Sequence, residues 1–129
     1  MSDTIRKYRT LVEKLYIRTK SDLINWKWDE EQKIVSSKIA DLFVDLKKGV
    51  NDNFEDLYSV VVYGPAGHVV DEFNDEYISS PSAKPGTLNF DSYFFLMDAL
   101  YEMAYRKSIG ADKALDQILT YLDEIEDPF

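Results

Sequence analysis

The sequence predicts an α+β fold with an N-terminal helix, an antiparallel meander sheet of about four to five strands, and two C-terminal helices packed on one face. Three observations support this class. Apolar residues recur at helical spacing near both ends of the chain, short alternating segments fill its middle, and a Gly-Pro-Ala-Gly turn separates two of those segments. With 129 residues, 45% of them hydrophobic, the chain can build one core, so we expect residues 1–129 to form a single domain.

The N-terminal segment is predicted to be a helix over residues 4–19. Its apolar residues recur three or four positions apart and share one face: Ile5, Tyr8, Val12, Leu15 and Tyr16. Residues 1–20 hold six basic and two acidic side chains, a local charge of +4. We interpret these charges as the solvated face of the helix, because a charged face at helical spacing is typical of a surface helix.

We place the sheet in residues 23–73. Residues 30–48 are compatible with a single helix and also with two strands divided near Asp41. The β-branched residues and the alternation of polar and apolar side chains in this stretch favour the two strands.

The segment YSVVVYGPAGHVVDEF (58–73) joins an apolar run to a glycine-rich turn, as nucleotide-binding P-loops do. A P-loop requires Gly-Lys-Ser/Thr five residues after its first glycine, and the corresponding positions hold Val69, Val70 and Asp71. Pro65 suits the second position of a tight turn and Gly67 suits the fourth. The segment therefore predicts a β-hairpin without a nucleotide site.

Residues 74–90 are rich in proline and serine and are predicted to be the longest loop. The helix predicted over 92–108 is apolar on most of its circumference, which is typical of a central core helix. Gly110 ends it, and Asp112 is expected to cap a helix over 112–125. That last helix carries one apolar stripe, formed by Leu115, Ile118, Leu119, Leu122 and Ile125.

The residue inventory excludes several chemistries. The chain has no cysteine, so thiolate catalysis and cysteine-ligated metals are excluded, and its one histidine, His68, cannot form a site of several histidines. A lone histidine beside a hairpin turn is typical of an exposed turn residue. The acidic clusters do not match a calcium-binding loop. We predict no catalytic residue, no metal site and no cofactor.

The net charge of −9 disfavours nucleic acid and anionic membranes as partners, because both attract lysine and arginine. We find neither an apolar leader nor a run long enough to span a membrane, which predicts a cytoplasmic protein.

These observations favour a non-catalytic acidic module of the immunity, inhibitor, anti-defence or adaptor type that binds a protein partner, one expected to be basic. The alternating LINWKW segment places two tryptophans on one strand face, which are core residues if that face is buried and a binding platform if it is exposed. The candidate partner-binding residues are Trp26, Trp28, Asp71, Glu72, Asp75 and Glu76. A homodimer is compatible with a one-sided sheet. The alternative function is a small-ligand protein or minor enzyme with a pocket near residues 74–90.

Overall fold

The computed structural model describes residues 3–79, 83–86 and 88–125, and these residues form an α+β fold. Its elements, in chain order, are α1 (Asp3–Lys20), β1 (Lys27–Asp29), β2 (Ile34–Ile39), β3 (Leu42–Val50), β4 (Asp56–Tyr63), β5 (Val69–Asn74), α2 (Asp75–Ile78), α3 (Tyr93–Ser108) and α4 (Ala111–Glu124). The predicted class is confirmed, with its N-terminal helix, its five-stranded antiparallel meander and its two C-terminal helices.

The five strands pair in the order β1-β2-β3-β4-β5, so each strand is bonded to its neighbour in sequence. The ambiguous stretch 30–48 contains two strands, which turn at Ala40-Asp41 between the paired residues Ile39 and Leu42. Four buried residues on the same face of the sheet are successive cross-strand partners from β2 to β5: Val35, Leu46, Val60 and Phe73. The alternating pattern therefore selects the strands, because it lines up one apolar face.

β1 begins at Lys27, later than the expected start at residue 23. The N–H of Asp22 donates to the carbonyl of Thr19 at 3.0 Å, and the N–H of Leu23 donates to the carbonyl of Arg18 at 2.9 Å. The N–H groups of residues 22–23 thus bond carbonyl groups in the last turn of α1, so these residues do not join the sheet.

The Gly-Pro-Ala-Gly segment forms the expected hairpin turn between β4 and β5. The N–H of Gly67 donates to the carbonyl of Gly64 at 3.0 Å, and the N–H of Gly64 donates to the carbonyl of His68 at 2.9 Å. Gly67 has a φ of +87°, a conformation that favours glycine. A strand follows this turn, so it lacks the helix N-terminus on which a P-loop binds phosphate.

The core lies between one face of the sheet and the helices α1 and α3. α1 contributes Val12 and Leu15, and α3 contributes one broad face, with these residues buried: Tyr93, Leu96, Met97, Leu100, Tyr101 and Ala104. α3 is thus the central helix that its apolar composition predicts.

The stretch predicted as a loop over 74–90 begins with the short helix α2. Asn74 caps it, because its side-chain oxygen accepts the N–H of Tyr77 at 2.9 Å. Ile78 is fully buried, and the Nε–H of Arg9 donates to its carbonyl at 2.8 Å. The loop prediction is therefore wrong for 75–78, while its residues 80–82 and 87 lie outside the described residues.

The expectation that both C-terminal helices pack on the sheet is wrong for α4. None of the residues of Ala111–Glu124 is buried, and α4 meets the rest of the chain through α3. The physical reason is that α1 and α3 already cover the apolar sheet face, so α4 projects from the body.

Candidate protein-interaction surface

The two predicted tryptophans differ in exposure. Trp26 is 4% exposed, and its indole N–H donates to Thr19 Oγ1 at 2.9 Å. Trp28 is half-buried, packs edge-on against Tyr105 with ring centroids 4.6 Å apart, and donates its N–H to Glu30 Oε2 at 2.5 Å. Trp26 is therefore a core residue and offers no surface to a partner. Partner binding by Trp28 stays a prediction.

Asp71 and Glu72 lie on opposite faces of β5. Asp71 Oδ1 accepts the hydroxyl of Tyr8 at 2.7 Å, and this hydrogen bond, with some burial, raises the pKa of Tyr8 to about 12. Glu72 is exposed and pairs with Val61 across the sheet. Adjacent strand residues alternate between faces, so these two carboxylates do not form one patch.

Asp75 and Glu76 also point in different directions. Asp75 is 4% exposed, and its Oδ1 accepts the N–H of Tyr58 at 2.7 Å, while burial raises the pKa of its carboxyl. Glu76 is exposed and accepts Asn51 Nδ2–H at 3.0 Å. Asp75 therefore satisfies a buried backbone donor, and partner binding by Glu76 stays a prediction.

His68 is exposed, and its ring lies over Gly64, where an added Cβ would come within 2.5 Å of the imidazole. Among the residues that the structure describes, no three histidine, aspartate or glutamate side chains are grouped so as to hold a metal ion.

A row of exposed apolar side chains lies along α4. Five residues, each between 50% and 58% exposed, form what we call the α4 stripe: Leu115, Ile118, Leu119, Leu122 and Ile125. Their spacing of three or four residues places them on one side of the helix, and Tyr121, which is 66% exposed, lies beside them. The sequence pattern predicted the stripe. It did not indicate whether the stripe packs against other residues of the same chain.

The corner between α3 and α4 sets the direction of α4. Gly110 has a φ of +70°, and its N–H donates to the carbonyl of Lys107 at 3.2 Å. Asp112, expected as the cap, lies instead in the first turn of α4, where it accepts a hydrogen bond from Arg106 at 2.8 Å. Gly110 takes the cap position because the helix starts one residue earlier than predicted. The negative Asp112 carboxylate still interacts favourably with the positive end of the helix dipole.

A cleft of about 1030 Å³, the corner cleft, lies at the base of α4. It is lined by residues 22–26, by residues 106–110, and by Asp112, Lys113 and Asp116 on α4. Leu23 and Ile109 contribute exposed apolar side chains, 68% and 48% accessible. The base of α4 therefore borders a concave surface, and the stripe residues are not part of its lining.

Charge is distributed unevenly along α4. Around its base three basic residues, Arg106, Lys107 and Lys113, are matched by three acidic ones: Asp22, Asp112 and Asp116. Its tip carries Asp123 and Glu124. The base of α4 is therefore close to neutral in charge, and its tip is acidic.

A smaller cavity of about 420 Å³ lies beside α2, in the region where the alternative ligand site was predicted. It is lined by Tyr8, Ser59, Glu72, Phe73, Asn74 and Tyr77. The lining of this cavity includes the acidic side chain of Glu72, whereas the side chain of Asp75 points into the core.

Comparison with protein-family models, with curated proteins and with solved structures found no match to this chain. Across the described residues, none of the helices is both long enough and apolar enough to span a bilayer.

Proposed function

We propose that this chain is a non-catalytic protein-binding module and that a polypeptide partner docks along the α4 stripe. The observation that carries the proposal is the exposure of four aliphatic side chains on α4, a helix with no buried residue, and of Ile125 at its C-cap. An amphipathic helix that presents anchors at such spacing is a common element of protein–protein recognition. Immunity proteins, inhibitors and adaptors act in this way, by binding without chemistry.

The energy available at the stripe is large enough to matter. Complete burial of a leucine or isoleucine side chain stabilises by about 1.5–3 kcal/mol, so covering its exposed half contributes about 1 kcal/mol. The five stripe residues together offer about 5 kcal/mol, before the entropic cost of association. Leaving that surface in water costs an amount comparable with the lower end of a domain's total stability.

The acidic composition bears on which partner is captured. Asp112, Asp116 and Asp123, at spacings of four and seven residues, lie along one edge of α4. A foreign partner with lysine or arginine beside its own apolar anchors would pair with this edge. Its affinity would fall as the salt concentration rises, because the exposed ion pairs are screened.

Affinity capture from a lysate of the source cells tests the role of α4, provided that two matched variants are compared with the wild type. Ile118→Glu/Leu122→Glu places two charges in the stripe, and Gln117→Glu/Thr120→Glu places two charges on the opposite face. All four positions are exposed, so we expect each variant to fold, with circular dichroism as the check. Proteins retained by the wild type and the control, and lost from the stripe variant, support the proposal; identical retention by all three contradicts it.

A second candidate function, binding of a small ligand, is favoured by the 420 Å³ cavity beside α2. A metabolite screen by thermal shift tests it, with Tyr77→Ala as the cavity variant. A ligand that stabilises the wild type and leaves the variant unchanged supports this function, and the absence of any shift leaves the protein-binding proposal ahead.

A further inference from the structure

We propose, building on the small-ligand function given above as the second candidate, that the cavity beside α2 binds a primary ammonium ion carried on a short apolar chain. We call this cavity of about 420 Å³ the α2 cavity. Its volume lies at the small end of the range that ligand sites span, which suits a compact molecule. Five of its six lining side chains carry an oxygen or amide group, and the sixth is a phenyl ring: Tyr8, Ser59, Glu72, Asn74, Tyr77 and Phe73.

The edge of the sheet supplies the polar wall of the α2 cavity. β5 is the outermost strand, and Glu72 and Asn74 are two residues apart on it, so their side chains share one face. Ser59 on β4 pairs with Asn74 and therefore lies on the same face. The strand register thus brings a carboxylate, a hydroxyl and an amide to one place.

Aromatic rings supply the other wall. Phe73 lies on the opposite face of β5, and Tyr8 of α1 stacks on it with ring centroids 4.2 Å apart. Tyr77 of α2 meets Tyr8 edge-on, with centroids 5.9 Å apart and an angle of 61° between the rings. The N–H of Tyr77 donates to Asn74 Oδ1 at 2.9 Å, which holds this residue in place. The two phenol rings therefore form a corner against which an alkyl chain and a cationic head can pack.

The charge of the lining selects a cation. Glu72 is the one ionised side chain in the lining, it is exposed, and it takes part in none of the ion pairs found among the described residues. An anion placed beside this carboxylate would be repelled. A metal ion requires several oxygen ligands, and the part of the chain that the structure describes does not group three acidic or histidine side chains.

The acceptors in the lining favour a cation that carries N–H groups. A primary ammonium has three donors and no acceptor. Glu72 offers carboxylate oxygens, and Ser59 offers a hydroxyl oxygen. The hydroxyl of Tyr8 donates its proton to Asp71 Oδ1 at 2.7 Å, which leaves the lone pairs of the Tyr8 oxygen for a further donor. Hydrogen bonds from an ammonium to a carboxylate are about twice as strong as neutral ones.

The charges around the lining are mixed. Asp71 and Glu76 are exposed carboxylates near the cavity along the chain, whereas Lys47 lies on the same face of the neighbouring strand β3. On α1, Lys7 is exposed and Arg9 donates to a backbone carbonyl of α2. None of these five residues lines the cavity. Selectivity for a cation therefore has to come from the carboxylate in the lining, and not from the general charge of the surface.

Titration of the isotope-labelled full chain with n-butylammonium chloride, followed through its amide chemical shifts, tests the proposal. We expect saturable shifts at the amides of residues 72–77 and a dissociation constant in the low millimolar range, because so small a ligand makes few contacts. Butan-1-ol has the same chain without the charge, and butyltrimethylammonium has the charge without the N–H groups. Each is expected to bind at least about tenfold more weakly. Sodium chloride at equal concentration is the reference for ionic strength.

Two matched variants assign the binding to the lining. Glu72→Gln removes the carboxylate of the cavity, and Glu76→Gln removes an exposed carboxylate outside it with the same change in net charge. We expect Glu72→Gln to raise the dissociation constant for n-butylammonium at least about tenfold, and Glu76→Gln less than about threefold. Equal weakening by the two variants would show a general attraction to the acidic surface and overturn the proposal. Shifts that do not saturate up to about 50 mM would overturn it as well.

The outcomes separate this inference from the functions proposed above. A neutral or anionic metabolite whose binding is lost in Tyr77→Ala, together with no binding of n-butylammonium, would reject the cation and leave the small-ligand function standing. No binding of either would reject both. Docking on the α4 stripe is tested independently, because its variants change residues outside the lining of the α2 cavity.

Discussion

The buried hydrogen bond between Trp26 and Thr19 offers a test of the core that needs no knowledge of function. Trp26 Nε1–H donates to Thr19 Oγ1 at 2.9 Å, and Thr19 is fully buried near the end of α1. Thr19→Val keeps the shape and nearly the same helix propensity but removes the acceptor. The indole N–H is then buried without a partner, which costs about 1–3 kcal/mol of the free energy of unfolding.

Urea unfolding followed by tryptophan fluorescence measures this loss. For a chain of this size the change corresponds to a fall of roughly 4–12 °C in melting temperature. Thr19→Ser is the matched control, because it keeps the hydroxyl and loses only a methyl group, worth about 1 kcal/mol.

A double-mutant cycle makes the test specific to the hydrogen bond. In a Trp26→Phe background no indole N–H is left to satisfy, so Thr19→Val is expected to cost at least about 0.5 kcal/mol less than it does in the wild type. Equal costs in the two backgrounds would refute the reasoning, because the threonine would then contribute through something other than this bond.

Two further predictions concern Asp75 and the turn at Ala40. Burial raises the pKa of Asp75, so its contribution to stability is present below its ordinary pKa and is lost as the pH rises through the folded-state value. Asp75→Asn keeps an oxygen that accepts the N–H of Tyr58. In chemical unfolding, the free energy of unfolding of the variant is therefore expected to rise relative to that of the wild type between about pH 3.5 and pH 7. A difference in free energy that stays constant over this range would contradict the prediction. Ala40 has a φ of +57°, so Ala40→Gly is expected to stabilise by about 0.5–1 kcal/mol, while Ala66→Gly, in the neighbouring hairpin turn, should give no such gain.

The sequence was sufficient to predict the sheet because its information is local. Alternation places Val35 and Leu46 on one face, and register follows from the turn at Ala40-Asp41 and from the turn ending at Gly67. The β1 start was predicted too early because the fate of residues 22–23 depends on hydrogen bonds to the end of α1. Propensity does not report such contacts between an element and the segment that follows it.

The candidate site was harder to predict, and the reason is physical. A pattern shows which face of a helix is apolar, but it does not show what covers that face. α3 and α4 both present leucine and aromatic residues, yet Leu100 on α3 is buried and Leu122 on α4 is exposed. The difference arises because α3 packs on the strands with α1 beside it, whereas α4 contacts α3, and this arrangement is a property of the whole chain.

The position of α4 is nonetheless determined locally, and this bears on how the stripe acts. The left-handed Gly110, the hydrogen bond from Arg106 to Asp112 and the bond from the N–H of Ala114 to the carbonyl of Gly110 at 3.0 Å together form a short corner between α3 and α4. A corner of this kind orients α4 without any packing of its apolar side. Under the proposed function, the stripe is thus presented before a partner arrives, and binding would not require α4 to be released from the core. A preformed anchor of this type loses less conformational entropy on docking than a segment that folds on binding.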